Sequence, residues 1–256
     1  MIWFIIFLFG LLIGSFLNCL IYRLENDQDF IKGRSYCPHC RKFINFYDLI
    51  PILSFLWLRG RCRNCSQKIS FQYPLVELAT GLIFVLIFQR GDLGLWGILE
   101  TTYLLAIFSL LMVIFVYDLK HYLIPDSAIF TAIGLSLIWV ISQTLTNRLT
   151  LVDFSFFLLS GIAAAGFFLV FFLLSQGTWL GFGDVKMALF MGLFLGYPEI
   201  IVALFSSFTI GAIIGLIMVL LKKKEMKSEV PFGPFLILGT TLAFFWGGAL
   251  NLNVIF

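Results

Sequence analysis

The 256 residues are 61% hydrophobic, 18% aromatic and only 12% charged, with a mean hydropathy of +1.02. An average soluble domain carries about 25% charged residues, so this composition excludes a single water-covered core. The formal net charge of +3 says little, because in a membrane protein the side on which basic residues lie matters more than their sum.

The sequence predicts an all-α polytopic membrane protein of about eight spanning helices. Apolar stretches of roughly 17–25 residues are long enough to cross a bilayer. They fall at about 2–22, 73–89, 97–117, 127–145, 154–175, 185–197, 200–221 and 235–255, the sixth being the shortest. Residues 2–22 lack a preceding basic residue and a small-residue cleavage pattern, so they read as a retained first helix rather than a signal peptide. Three regions follow: 1–22 as the first span, 23–72 as a polar loop domain, and 73–256 as a membrane domain. Beyond the KKKEMK stretch at 222–227, which reads as a topology anchor on anionic lipid, there is no low-complexity run and no internal repeat.

The basic residues orient these spans. Nine lie between Arg23 and Lys68, and Lys120, Lys186, Lys222, Lys223, Lys224 and Lys227 bring one side to 15 of 17, leaving Arg90 and Arg148 opposite. By the positive-inside rule the N-terminus is outside and the 23–72 loop cytoplasmic.

That loop holds CPHC at 37–40 and CRNC at 62–65. Two CxxC pairs have the spacing of a four-thiolate zinc site, each pair turning two sulfurs toward one point. In a reducing cytosol the thiols of Cys37, Cys40, Cys62 and Cys65 stay free of disulfides. Four thiolates leave no open position for water, so the expected Zn2+ is structural, a staple for a loop without its own core. His39 reads as a bystander, and Cys19 as an inert thiol within the first span.

Carboxylates near spans need a reason, because insertion at a helix centre costs about 2.5–3.5 kcal/mol. Asp118 follows the third span, at a helix end whose dipole disfavours it; solvation or pairing with Lys120 is the plain alternative to chemistry. Asp126, after Pro125, reads as a helix N-cap. Asp184 closes GFGD at 181–184, where two glycines permit close approach of another chain. Glu77 stands about one turn into the second span, open to solvation or to a loop arginine, and Glu100 is at an outer end. On this topology Asp118 and Asp184 share the cytoplasmic face. Two carboxylates brought close share a proton, so one draws a proton from water while the other donates to a scissile carbonyl.

GSFLNCLIYRL at 14–24, DLIPILSFLWLRGRCRNC at 48–65, YPLVE at 73–77, DLKHYLIPD at 118–126 and GFGD at 181–184 together resemble the type IV prepilin peptidases, including the competence pseudopilin-processing enzymes. The likeness runs in order to about residue 190. It implies a bacterial cytoplasmic-membrane endopeptidase that removes a short basic leader from prepilins or pseudopilins, usually after a glycine. Asp118 and Asp184 match the catalytic pair, and Asp126 a structural position. Many members also methylate the new N-terminus with S-adenosylmethionine, a step to which Gly60 and Arg61 correspond; lysine is commoner at the latter position. No glycine-rich nucleotide fingerprint supports that half independently. The implied partners are the pilin substrate and the bilayer, not nucleic acid. Two readings from other classes remain: a cation-coupled transporter with a zinc module, which predicts acidic residues at mid-membrane, and a non-enzymatic assembly protein docking through its zinc loop.

Overall fold

The computed structural model describes residues 1–26, 28–29, 33–91, 94–221 and 230–247. The KKKEMK stretch and the end of the eighth expected span lie outside them. Among the described residues there are nine α-helices: α1 (Ile2–Glu25), α2 (Leu53–Trp57), α3 (Gln72–Phe88), α4 (Leu95–His121), α5 (Asp126–Leu145), α6 (Leu151–Ser175), α7 (Phe182–Leu195), α8 (Glu199–Leu220) and α9 (Gly233–Trp246). Every expected span coincides with one helix, and the ninth, α2, is a five-residue element inside the polar loop. Five helices, α1, α4, α5, α6 and α8, are long and apolar enough to cross a membrane, and α3 and α9 are shorter apolar helices. The chain is an integral, all-α membrane protein, divided into two compact units, Met1–Val113 and Ile114–Phe256.

In the first unit α1 and α3 run antiparallel, with Trp3 against Phe88 and Gly10 and Gly14 facing Gly81 and Glu77. A Cβ on Gly10 would stand 2.7 Å from the Gly81 Cα, and one on Gly14 would stand 2.6 Å from the Glu77 Cα. Without a hydrophobic drive between helices in lipid, contact at this range is what holds them, and small residues are what allow it. Glu77, buried against α1, is neither solvated nor paired with a loop arginine; its Oε2 accepts the Ile52 N–H at 2.8 Å. Asn18 Nδ2 donates to the Tyr73 carbonyl at 3.0 Å, and Arg23 donates to the carbonyls of Asp29 and Gly33, stitching the loop to α1.

The loop has almost no core. Between residues 33 and 70 only Cys37 and Pro51 are buried. Its order comes from two small hairpins, each built on one CxxC pair. Cys37 N–H donates to Lys42 O and Arg41 N–H to Cys37 O; the same pattern recurs from Cys62 to Gln67 and from Ser66 to Cys62. Arg41 and Ser66 both take positive φ, 54° and 58°, and isolated bridges pair Tyr36 with Phe43 and Arg61 with Lys68. The structure thus holds a short repeat whose sequence trace is the CxxC spacing alone. Arg63 joins the second hairpin to the 3-10 turn at Phe46–Leu49 by a bidentate bond to Asp48, at 2.7 Å from NH2 to Oδ1, and lies over the Tyr47 ring.

In the second unit α7 is the central element. Its Met187, Ala188, Phe190 and Met191 are fully buried, and it packs against α5, α6, α8 and α9. Being sheathed by protein, it needs neither the length nor the lipid-facing surface of a free span. Its pairing with α6 turns on glycine, for a Cβ on Gly192 would collide with the Gly161 backbone. Likewise a Cβ on Gly239 of α9 would strike Ser207 and Ala203 of α8. Gly196 ends α7 with a φ of 71°. Overpacking a close contact costs roughly 1–3 kcal/mol, whereas Gly166, also in α6, faces open space. Gly192→Ala should therefore lower the unfolding temperature in detergent, and Gly166→Ala should leave it unchanged or raise it.

Candidate active site and metal centre

Three segments of the second unit converge on Asp118. The first is the end of α4, where Asp118 stands in the last helical turn rather than beyond it. Tyr122, with φ at 57°, stops the helix while its N–H still bonds Asp118 O at 2.9 Å. The chain then passes Ile124 and Pro125 into α5. The second segment is GFGD. Gly181 caps α7 and Asp184 is its third residue; Asp184 N–H donates to Gly181 O and Asp184 Oδ2 accepts Gly181 N–H, both at 3.0 Å. Asp184 thus fixes its own helix start through Oδ2. The third segment, Pro231–Pro234, opens α9.

Ile124 is the piece against which these segments meet. A Cβ on Gly183 would lie 3.1 Å from the Ile124 Cβ, and one on Gly233 would lie 3.4 Å from its Cδ1 and 2.5 Å from Asp118 Oδ2. Both carboxylates are buried, Asp118 at 4% and Asp184 at 8% exposure, and they are near enough to repel one another. Asp118 Oδ2 is a buried acceptor with no well-aligned hydrogen-bond partner among the described residues, the Gly233 N–H being the polar group that acts on this carboxylate. Such an atom costs roughly 1–3 kcal/mol to bury. Asp118 is therefore neither solvated nor held by an ion pair with Lys120.

Asp126 departs from the expected cap. It is the first residue of α5, Pro125 takes the cap position, and no side-chain cap bond forms. Its Oδ1 instead accepts from Lys186 Nζ at 2.6 Å, while that ammonium lies over the Phe130 and Phe182 rings at 5.1 and 5.2 Å. The pair ties the segment after Asp118 to the helix that carries Asp184. Sequence reasoning missed Gly233 altogether; the only signal was a glycine between prolines ahead of an apolar run.

In the first unit the four expected cysteines form one cluster. The sulfurs of Cys37, Cys40, Cys62 and Cys65 all lie within 4.8 Å of one another, with Cys37 and Cys65 3.9 Å apart. Four sulfurs about 2.3 Å from a tetrahedral ion stand roughly 3.8 Å apart, so the set fits a metal closely. Burial pushes the Cys62 thiol up, but the backbone amides of Cys65 and Asn64 and the thiols of Cys37 and Cys65 outweigh it and bring it down to about 7. His39 is exposed and outside the cluster, and Cys19 is half-buried in α1. Gly60 takes a φ of 67° with its open side against the Phe55 ring, donates to Phe55 O and accepts from Ile69 N–H. Its backbone polar groups are thus used within the loop, while Arg61 beside it is exposed.

A helical membrane protein with a four-thiol cluster able to hold a metal in one unit and a buried carboxylate pair in the other is the class these features define. The comparisons with known proteins narrow it. The model of the bacterial peptidase A24 N-terminal domain matches residues 8–90, and that of the type IV leader peptidase family matches residues 105–216. Prepilin leader peptidase/N-methyltransferases of Aeromonas hydrophila and Bacillus subtilis are each 33% identical to this chain. The matches cover 96% of it and 91% and 95% of those proteins. The relative of the same name from Legionella pneumophila is 33% identical over 95% of this chain. No solved structure matches. The chain belongs to the type IV leader peptidase family.

Metal analysis of the purified protein should find one tetrahedral metal ion per chain, and Cys37→Ser or Cys62→Ser should abolish it. Binding needs thiolates, so the ion should be retained at neutral pH and released as acidification protonates the sulfurs. Retention in either variant would show that the cluster is not the metal site.

Proposed function

We propose that this chain is a prepilin leader peptidase. Asp118 and Asp184 hydrolyse the bond between a prepilin's leader and its apolar helix, and the enzyme also methylates the new N-terminus. The observation that carries the peptidase reading is the buried Asp118 oxygen without a partner, set beside a second buried carboxylate and under the Cβ-free face of Gly233. A buried acceptor is tolerated where chemistry uses it.

In the mechanism this supports, one carboxylate is ionised and the other protonated, because two close carboxylates cannot both ionise cheaply. The ionised group takes a proton from water as the water oxygen attacks the scissile carbonyl carbon. The protonated group gives its proton to the carbonyl oxygen. Proton return to the leaving nitrogen then breaks the C–N bond, and no bond to the enzyme forms at any stage. The Gly181 N–H on Asp184 Oδ2 and the Asp126–Lys186 pair keep the two carboxylates in place. Leu123, Trp179 and Phe182, all exposed, give the nearby surface an apolar character that suits a pilin helix.

The basic residues support a cytoplasmic face for this site and for the loop, with the N-terminus outside. That is where a prepilin keeps its leader. The transporter reading loses its basis, since the aspartates lie at helix ends rather than at mid-membrane. The metal is proposed to be zinc, by ligand type and by a coordination sphere that four thiolates close. Methylation is supported by the names of the relatives; S-adenosylmethionine as the methyl donor, with Gly60 and Arg61 serving that step, is what the family resemblance implies.

The test is co-expression with a prepilin and mass measurement of the pilin N-terminus. Wild type should remove the leader and add a methyl mass. Asp118→Asn and Asp184→Asn should slow cleavage roughly 100- to 10,000-fold, the usual contribution of a general acid or base. Gly233→Ala, which drives a methyl into Asp118 Oδ2, should approach the same loss. Asp126→Ala should slow cleavage without abolishing it. Full cleavage by either Asn variant would refute the assignment.

A further inference from the structure

The loop was expected to be a polar domain outside the membrane spans, yet one part of it is tied back to a buried carboxylate between α1 and α3. Ile52 N–H is bonded to Glu77 Oε2 at 2.8 Å. Glu77 is five residues into α3, about 7–8 Å along the helix from Gln72 at a rise of about 1.5 Å per residue. On α1 the facing residue is Gly14. Arg23, the first charge of the chain, is nine residues further on, roughly 13 Å toward the loop end of α1. The residue that holds the turn at Ile52 is thus rooted in α3 below the level at which α1 meets its first charge.

The backbone there is forced. Ile52 has φ 60° and ψ −50°, and Leu53 N–H bonds back to Pro51 O at 2.5 Å. This is the positive-φ γ-turn, rare and strained for a β-branched residue. Only the buried carboxylate of Glu77 holds its amide.

The turn launches α2, which has two unlike sides. Phe55 points inward, its ring 5.4 Å from Phe71 at the entry of α3 and against Gly60. Leu53, Leu56 and Trp57, at i, i+3 and i+4, share the opposite side and are exposed at 63%, 64% and 84%. Leu49 and Ile50 ahead of them are exposed too, and Arg59 and Arg61 follow immediately. An apolar helix face launched from a turn tied to the α1–α3 pair, ending in tryptophan and then arginine, has the order of residues that a bilayer boundary selects: acyl chain, interface, phosphate.

We propose that α2 and the turn before it are a lipid-inserted anchor, seating Leu53, Leu56 and Trp57 in the acyl-chain boundary of the leaflet on the loop side, with Arg59 at the phosphates. The occupant of this face is the bilayer, and the anchor holds the metal loop flat against the membrane. This inference rests on the membrane reading of α1 and α3 and not on the peptidase assignment, so either can fail without the other.

The test uses the full chain in nanodiscs of phosphatidylcholine and phosphatidylglycerol, with and without bromine near the head of the acyl chains. The chain has six tryptophans, so the Trp57 signal is the emission lost in Trp57→Phe. Most of that signal should be quenched by the brominated lipid and spared by aqueous acrylamide. A second readout, hydrogen exchange across residues 49–58, should show protection in nanodiscs. That protection should fall about tenfold or more in Leu53→Asp/Leu56→Asp, given the cost of a charge at that depth. Metal content should stay intact in both variants. Quenching by acrylamide but not by bromine would overturn the proposal, as would shielding that appears only when a prepilin is added, which would give the face to the substrate.

Discussion

Two carboxylates buried within reach of each other's charge are costly, and a folded chain keeps such a pair only where surrounding contacts leave no cheaper arrangement. Much of the second unit supplies those contacts. Asp118 is held inside the last turn of α4 by a helix that stops only at Tyr122. Asp184 is fixed by its own bond to Gly181. Ile124 separates and spaces the two segments, and Gly233 closes the third side where any side chain would strike Asp118 Oδ2. The glycine contacts of α7 with α6 and of α9 with α8 reach the same place from further away, since both helices begin at the site. Removing a methyl's worth of space at Gly192 or Gly239 would move the starts of the helices that carry Asp184 and Gly233.

The first unit solves a different problem by different means. A loop in which only Cys37 and Pro51 are buried between residues 33 and 70 cannot fold by burial. Its order comes from four thiols around one point, two matching hairpins, the Arg63–Asp48 bond and a few polar stitches to α1 and α3. Glu77 is one of these stitches, a buried carboxylate between α1 and α3 that holds the Ile52 N–H and the Ser15 side chain.

The helices were legible in the sequence because hydropathy over about 20 residues is a strong signal, and each expected span coincides with one helix. The cysteine cluster was legible for a similar reason, since CxxC spacing is itself a geometric statement. What could not be read were contacts between distant segments. Asp126 after proline has the local pattern of a cap, and only the packing of α5 on α7 reveals Lys186 as its partner. Glu77 has the pattern of an interfacial acid, and only the fold brings Ile52 to it. Gly233 carries no local signal of importance, because its role is the absence of a side chain next to a residue 115 positions earlier. The five-residue α2 lay below the length at which periodicity speaks.

Asp118 and Asp184 are proposed to work as one unit. That is tested most directly by single-turnover leader cleavage with Asp118→Asn, Asp184→Asn and the double variant in the same membranes. Residues that act as a unit lose nearly everything on the first removal. The double variant should be no slower than the slower single variant. Losses that multiply across the two sites would show independent contributions and contradict it.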